Sequence, residues 1–386
     1  MSVSWRRRRL DEIAAVNPAR QLRRGELGPH MDLADVQRWW RSHTPPRRQR
    51  FSGGARFKNG DVLLARISPS LENGKAAWVR GLAEGEIGHG STEFIVLAPR
   101  EREADERFLY YLTRWPDFRG YAVRAMTGTS GRQRISPESV AGFTVPLPGL
   151  DDQTAIADVL GAIDDKIEAS VRAATSAERL VHGLWQEAVG TAISTVPLDN
   201  LIEVNPPRRI ATSGPAPYLP MSDMPTQGYH PAAVERREPG SGARFRNGDT
   251  LMARITPCLE NGKVAYVDFL AEDEVGWGST EYIVLKSRAG VPAQVPYLVA
   301  RWPEFVAYAT RNMTGTSGRQ RCPAAAVEAF PVPQLPPSAL QRISEITTPT
   351  FDLMRSLYLE NDRLGQLRDS LIPELMSGAR TVAGRS

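Results

Sequence analysis

"ARISPSLENGK" occupies residues 65–75 and returns as "ARITPCLENGK" at 253–263, 188 positions later. The match extends outward from these two stretches. "LDEIAAVNPAR" (10–20) faces "LDNLIEVNPPR" (198–208), "GHGSTEFIVL" (88–97) faces "GWGSTEYIVL" (276–285), and "MTGTSGRQR" recurs unchanged at 126–134 and 313–321. The repeated unit is therefore a whole domain, far longer than the 20–50 residues of a solenoid repeat. A chain of 386 residues has room for two such domains. Hydrophobic content of 41% lets each build its own core.

Local chemistry predicts a mixed, mostly antiparallel α+β domain. "DVLLARI", "KAAWV" and "EFIVLAP" are apolar strand candidates, with Asn73-Gly74 suited to a tight hairpin turn between the first two. "DERFLYYLTRWPDFRGYAVRAM" reads as helix broken near Pro116, and "TGTSGRQR" reads as a loop. Each unit then closes on a long helix. Asp151 is a candidate N-cap, and Ile156, Leu160, Ile163, Ile167, Ala174, Ala177, Val181 and Leu184 follow at alternating three and four spacing, with Ser170 filling one slot. The second helix starts near Ser338 and carries Met354, Leu357, Leu364 and Leu371, with Asn361 and Arg368 at seam positions. Two such stripes bury each other, and two-fold related repeats make the pair antiparallel.

Net charge is only +4, but it is unevenly spread: residues 1–58 hold 14 Arg or Lys against 5 Asp or Glu. The basic opening "MSVSWRRRRL" is followed by "DEIAAVNPAR" where a signal peptide needs an apolar core, and no stretch approaches a membrane span. A cytoplasmic protein is expected. The two cysteines, Cys258 and Cys322, face Ser70 and Ile135 in the first copy, so no disulfide or metal site belongs to the repeated design.

Three catalytic constellations fail on their residues. "NPPR" (205–208) lacks the aromatic of an adenine methyltransferase loop, and no Gly-rich cofactor loop precedes it. Asp61, Glu72 and Lys75 have the wrong spacing for a metal-dependent nuclease, and Glu72 with Lys75 reads as a cross-strand ion pair. None of the five histidines recurs in the other copy, which leaves no duplicated base for a nucleophile.

The halves diverge in 19–53 against 209–241 and at points such as His89 against Trp277. Arg23, Arg24, Trp39, Arg47 and Arg48 mark the first variable segment, and Tyr218, Gln227, Tyr229, Arg236 and Arg237 the second. Arg and Gln can contact base edges in a major groove, while drifting surface loops explain the divergence equally well. Shared cations fit contacts to phosphate, which carry no sequence information: Arg132 and Arg134, Arg319 and Arg321, Arg56 and Lys58, Arg244 and Arg246. A structural role for them stays open.

"GDTLMARITPCLENGK", "GSTEYIVL", "VPLPGLDDQTAIADVL" and "RLGQLRDSLIPELMSG", in this order and over the whole chain, resemble the specificity subunit of type I DNA restriction-modification systems. The first copy is the less typical, with "GPHMDLADV" where the second has "APYLPMSDM". The resemblance implies two pseudo-two-fold related target-recognition domains (1–150 and 191–336) joined by two long antiparallel helices (151–190 and 337–380) that form a coiled-coil spacer. It further implies a non-enzymatic reader of a split DNA site that docks two modification subunits and, through them, restriction subunits. S-adenosylmethionine, ATP and Mg²⁺ then belong to those partners, with no cofactor or metal on this chain. A helix over 152–187 would be roughly 50 Å long. Domains held across such a pair are expected to meet two major grooves about one helical turn, ~34 Å, apart. A stand-alone nuclease or methyltransferase and a protein-binding scaffold are the competing readings.

Overall fold

The structure, a computed structural model, describes residues 5–36, 40–129, 131–210, 214–316 and 318–382. It divides into two compact units, Met1–Ala169 with Glu360–Ser386, and Ser170–Leu359.

The first unit holds a five-stranded sheet in the order Ala14–Val16, Phe94–Pro99, Val62–Ala65, Ala76–Val79, Ser42–His43, antiparallel except for its last pair. A four-stranded sheet runs Arg47–Arg50, Leu27–Met31, Gly88–Gly90, Ala55–Phe57, with its central pair parallel. Arg6–Arg9 pairs with Thr144–Leu147. The second unit repeats this plan. Ile202–Val204, Tyr282–Ser287, Thr250–Ala253 and Val264–Tyr266 form one sheet, and Glu235–Arg237, Ala216–Leu219, Gly276–Gly278 and Arg244–Phe245 the other. Among the described residues, the fifth edge strand Ser42–His43 has no counterpart there. The pairing is mostly antiparallel, as expected, with a parallel pair at the centre of each four-stranded sheet.

Why the strand Val62–Ala65 is apolar throughout is visible in the packing. Val62 and Leu64 enter a core with Phe108, Leu112, Phe118 and Ile95, while Leu63 faces a smaller cluster with Met31, Phe57 and Val96. A strand covered on both faces carries no polar alternation. The helical segment breaks at Trp115 into Glu106–Arg114 and Pro116–Arg124, and Asp105 caps the first by accepting from the Arg107 and Phe108 amides.

The repeated eleven residues do not make the expected two-residue hairpin turn. The strands end at Ala65 and restart at Ala76, and the ten residues between them wind through bonds from Leu71 N to Ile67 O, Asn73 N to Pro69 O and Lys75 N to Ser70 O. Only Gly74 of the Asn-Gly pair takes positive φ, at 68°. Lys75 does not pair with Glu72. Its Nζ donates to Leu33 O, while Glu72 accepts from Ser68 Oγ; Lys263 to Met221 O and Thr256 to Glu260 repeat both contacts. The motif thus clasps its sheet to the segment before it, once in each unit.

The long helices are Leu150–Gly190 and Pro337–Met376. Asp151 lies inside the first turn and is not the N-cap, because the helix begins at Leu150. In the first unit the helix segments run antiparallel, with Lys166 beside Glu360 and Asp164 beside Arg368. Ile156 and Leu160 pack with Ile372 and Leu375, Ile167 is buried, and Ile163, Leu364 and Leu371 are half-buried. In the second unit Ala174, Val181 and Trp185 pack with Leu340, Ile343, Phe351 and Met354; Leu184 and Leu357 sit at the margin of that core.

Candidate nucleic-acid interface

The four-stranded sheet of each unit presents an exposed outer strand drawn from the variable segment. In the first unit all four residues of Arg47–Arg50 are exposed. Arg47 pairs with Asp32 and Asp35, Arg48 donates to Glu86 Oε1 (2.7 Å) and Leu27 O (3.3 Å), and Arg50 donates to Gly25 O (3.0 Å). In the second unit, Arg236 donates to Glu274 Oε1 (2.9 Å) and Pro215 O (3.0 Å), the same two contacts as Arg48. Arg237 pairs with Glu235 and lies 4.4 Å from the Tyr218 ring centre.

Beneath these strands the units differ. His30 and His89 are register partners in the first, Tyr218 and Trp277 in the second. His89 Nε2 lies 2.9 Å from Gln49 O, and its Nδ1 3.1 Å from His30 Nδ1. A carbonyl only accepts, so the hydrogen-bond network puts a proton on His89 Nε2 and leaves its Nδ1 to accept from His30. His30 Nε2 lies 3.2 Å from Asp32 Oδ1. Burial pushes the His89 imidazole below its ordinary pKa. In the second unit the Tyr218 and Trp277 rings meet instead, tilted by 50° with centres 4.5 Å apart.

Several residues expected at a reading surface lie inside the protein. His89 is 1% exposed and Trp277 9%, because the middle strand of a covered sheet turns them inward. Tyr229 is fully buried against Phe351, Tyr266 and Tyr297, and its hydroxyl donates to Asp268 at 2.7 Å. These three are packing residues. Trp39 lies outside the described residues.

Other expected cations hold the fold in matching ways. Arg134 grips Glu93 through Nε and Nη2, and Arg321 grips Glu281 identically. Arg56 Nη1 donates to Arg20 O, as Arg244 Nη1 does to Arg208 O. Sequence reasoning missed Arg20 and Arg208, whose guanidinium groups close on the buried Asp61 and Asp249. Burial raises both carboxyls against the pull of these arginines. Their identity in both copies, within "NPAR" and "NPPR", was the available signal. Asn17 and Asn205 take left-handed φ of 48° and 51°, and their side chains accept from Val96 N and Val284 N, which gives "NPxR" a structural role. Arg23, Arg24, Lys58, Arg132, Gln227, Arg237, Arg246 and Arg319 remain exposed.

Among the described residues, no group of three or more His, Cys, Asp or Glu is placed to hold a metal ion, and no helix is long and apolar enough to cross a membrane. Both cysteines are free thiols; burial pushes Cys322 up to about 11.

Residues 4–174 match the type I restriction modification DNA specificity domain. A stretch of 155 residues, 39% of this chain, is 29% identical to the type I restriction enzyme EcoAI specificity subunit of Escherichia coli and covers 26% of it. Another of 104 residues, 27% of this chain, is 31% identical to the EcoEI specificity subunit of the same organism and covers 17% of it. The matches thus span about a quarter or less of these relatives. The solved type-I restriction-modification system S subunit from M. genitalium aligns over 96% of each chain with a TM-score of 0.53 at 15% identity, which shows a shared fold. The first domain of the chain is thus similar to type I restriction-modification specificity domains, and the whole chain shares the fold of a solved specificity subunit.

Proposed function

We propose that this chain is the non-catalytic specificity subunit of a type I restriction-modification complex and works in the cytoplasm on double-stranded DNA. Each unit reads one half of a split, non-palindromic site. The observation that carries this reading is the pattern of likeness and difference between the units. Their buried ion pairs and loop clasps coincide, while the exposed outer strands and the rings beneath them do not. Two scaffolds alike with two outer faces unlike suit a reader of two different sequences.

Arg23, Arg24, Arg48, Tyr218, Gln227, Arg236 and Arg237 are the candidates for base contacts. Lys58, Arg132, Arg246 and Arg319 are candidates for phosphate. The exposed leucines on the long helices, Leu180, Leu353, Leu359 and Leu367, are offered as docking points for two modification subunits. Those subunits would carry S-adenosylmethionine, and restriction subunits ATP and Mg²⁺. The test is to co-express the chain with its modification partner and map methylated adenines across a genome. A single split motif is expected; cutting or methyl transfer by the purified chain alone would overturn the reading.

A further inference from the structure

Within the repeated eleven residues, Arg66 stands apart from its neighbours. Its amide donates to Glu93 O (2.9 Å) and its carbonyl accepts from Ile135 N (3.0 Å), so its backbone is pinned where three segments meet. Its guanidinium Nε, however, is buried without a hydrogen-bond partner. Arg254 repeats every part of this: its amide donates to Glu281 O (2.9 Å), its carbonyl accepts from Cys322 N (2.8 Å), and its Nε is likewise unpartnered. An unmet buried donor costs roughly 1–3 kcal/mol. The same cost at the same place in two otherwise diverged copies calls for an acceptor from outside the chain.

In the first unit Arg66 lines a cleft of about 420 Å³, walled by Asn17, Arg20, Gly54, Arg56 and Thr92. Arg20 is neutralised there by Asp61. Arg56 donates to a carbonyl, lies 4.9 Å from the Phe51 ring centre, and has its own Nε buried and unpartnered. Neither Arg56 nor Arg66 forms an ion pair among the described residues, although Glu138 feels the field of Arg66. Asn17 spends its carbonyl oxygen on Val96 N, which leaves its amide hydrogens as donors. The lining therefore offers donors and two positive charges without a carboxylate bound to them. Guanidinium groups in that setting match an anion with several acceptor oxygens.

We propose that Arg66, beside Arg56 in the first unit, and Arg254 at the equivalent place in the second each bind a backbone phosphate of DNA and so set the register of each unit without reading a base. The inference rests on the proposed DNA-reading function and names a site for it within the repeated motif. In this role the arginines position the duplex while the variable strands read it.

The test uses the full chain with its modification partner and a duplex bearing the mapped motif. Its affinity is followed against salt concentration for the wild type, Arg66→Gln, Arg254→Gln, the double variant and Arg66→Lys. Each lost phosphate contact lowers the slope of log affinity against log salt by about 0.9, so the double variant is expected to lose about twice that, with the methylated motif unchanged. Arg66→Lys keeps the charge and restores most of the slope. A double variant that binds with the wild-type slope overturns the inference, as does one whose melting temperature falls while its slope stays. A wild-type complex without salt-dependent binding overturns the DNA-reading function itself, and this site with it.

Discussion

In the first unit two hydrogen-bonded imidazoles, His30 and His89, lie under the outer strand; in the second, the tilted rings of Tyr218 and Trp277 meet at the same register positions. Around both pairs the framework is the same. Arg20–Asp61 matches Arg208–Asp249, Arg134–Glu93 matches Arg321–Glu281, and Lys75 and Lys263 clasp equivalent carbonyls. Interactions that hold the fold recur, and the difference gathers under one exposed strand. The packing along the long helices differs too. Arg368 and Tyr111 converge on buried Asp164 in the first unit, whereas Tyr229, Phe351 and Tyr358 make an aromatic cluster in the second.

The strongest challenge to this likeness is to break the shared buried pair in each unit. Asp61→Ala and Asp249→Ala each strand a buried arginine and should cost about 3–5 kcal/mol in denaturant unfolding. Similar losses are expected from both, and a large loss from only one would separate the scaffolds. Arg368→Met leaves Asp164 buried with Tyr111 alone and should cost about 3 kcal/mol, with recovery when Asp164→Asn is added. Tyr229→Phe removes one hydrogen bond to Asp268 and should cost about 1 kcal/mol without changing any methylated motif, since Tyr229 is core. A changed half-site would return Tyr229 to the reading surface.

The histidine pair gives a smaller, pH-dependent contrast. The His89 pKa is depressed in the folded state, so the unfolded chain binds its proton first as pH falls below about 6.5. This contribution to stability is whole above that pH and is lost as pH drops through the depressed value. The unfolding midpoint should therefore fall less with acid in a His30→Tyr/His89→Trp variant than in the wild type. Equal acid sensitivity would show that the pair carries no such coupling.

The duplication, the three central strands of the five-stranded sheet, the break at Pro116 and both long helices were legible because they rest on local pattern and internal repetition; the edge strands Ala14–Val16 and Ser42–His43 were not. The Asn73-Gly74 turn was misread because its dipeptide signal is local, while the Lys75-to-Leu33 clasp that shapes the loop is not. Along the first helix the expected Leu184 shares its place with the fully buried Trp185. A straight helix drifts from a strict seven-residue repeat by about 20° per heptad, which moves the facing position by one residue. Tyr229 and His89 looked like readers because divergence between copies marks buried partners as well as exposed ones. That His30 lies beside His89 depends on a parallel strand pairing no local pattern announces.

The central claim is that what is duplicated holds the fold and what is not duplicated reads DNA. It is tested most directly by replacing residues 19–53 with the corresponding segment of a relative and mapping methylated adenines with the modification partner present. The account predicts a split motif in which one half changes and the other half and spacer stay as they were. A motif unchanged in both halves, or altered in both, would contradict it.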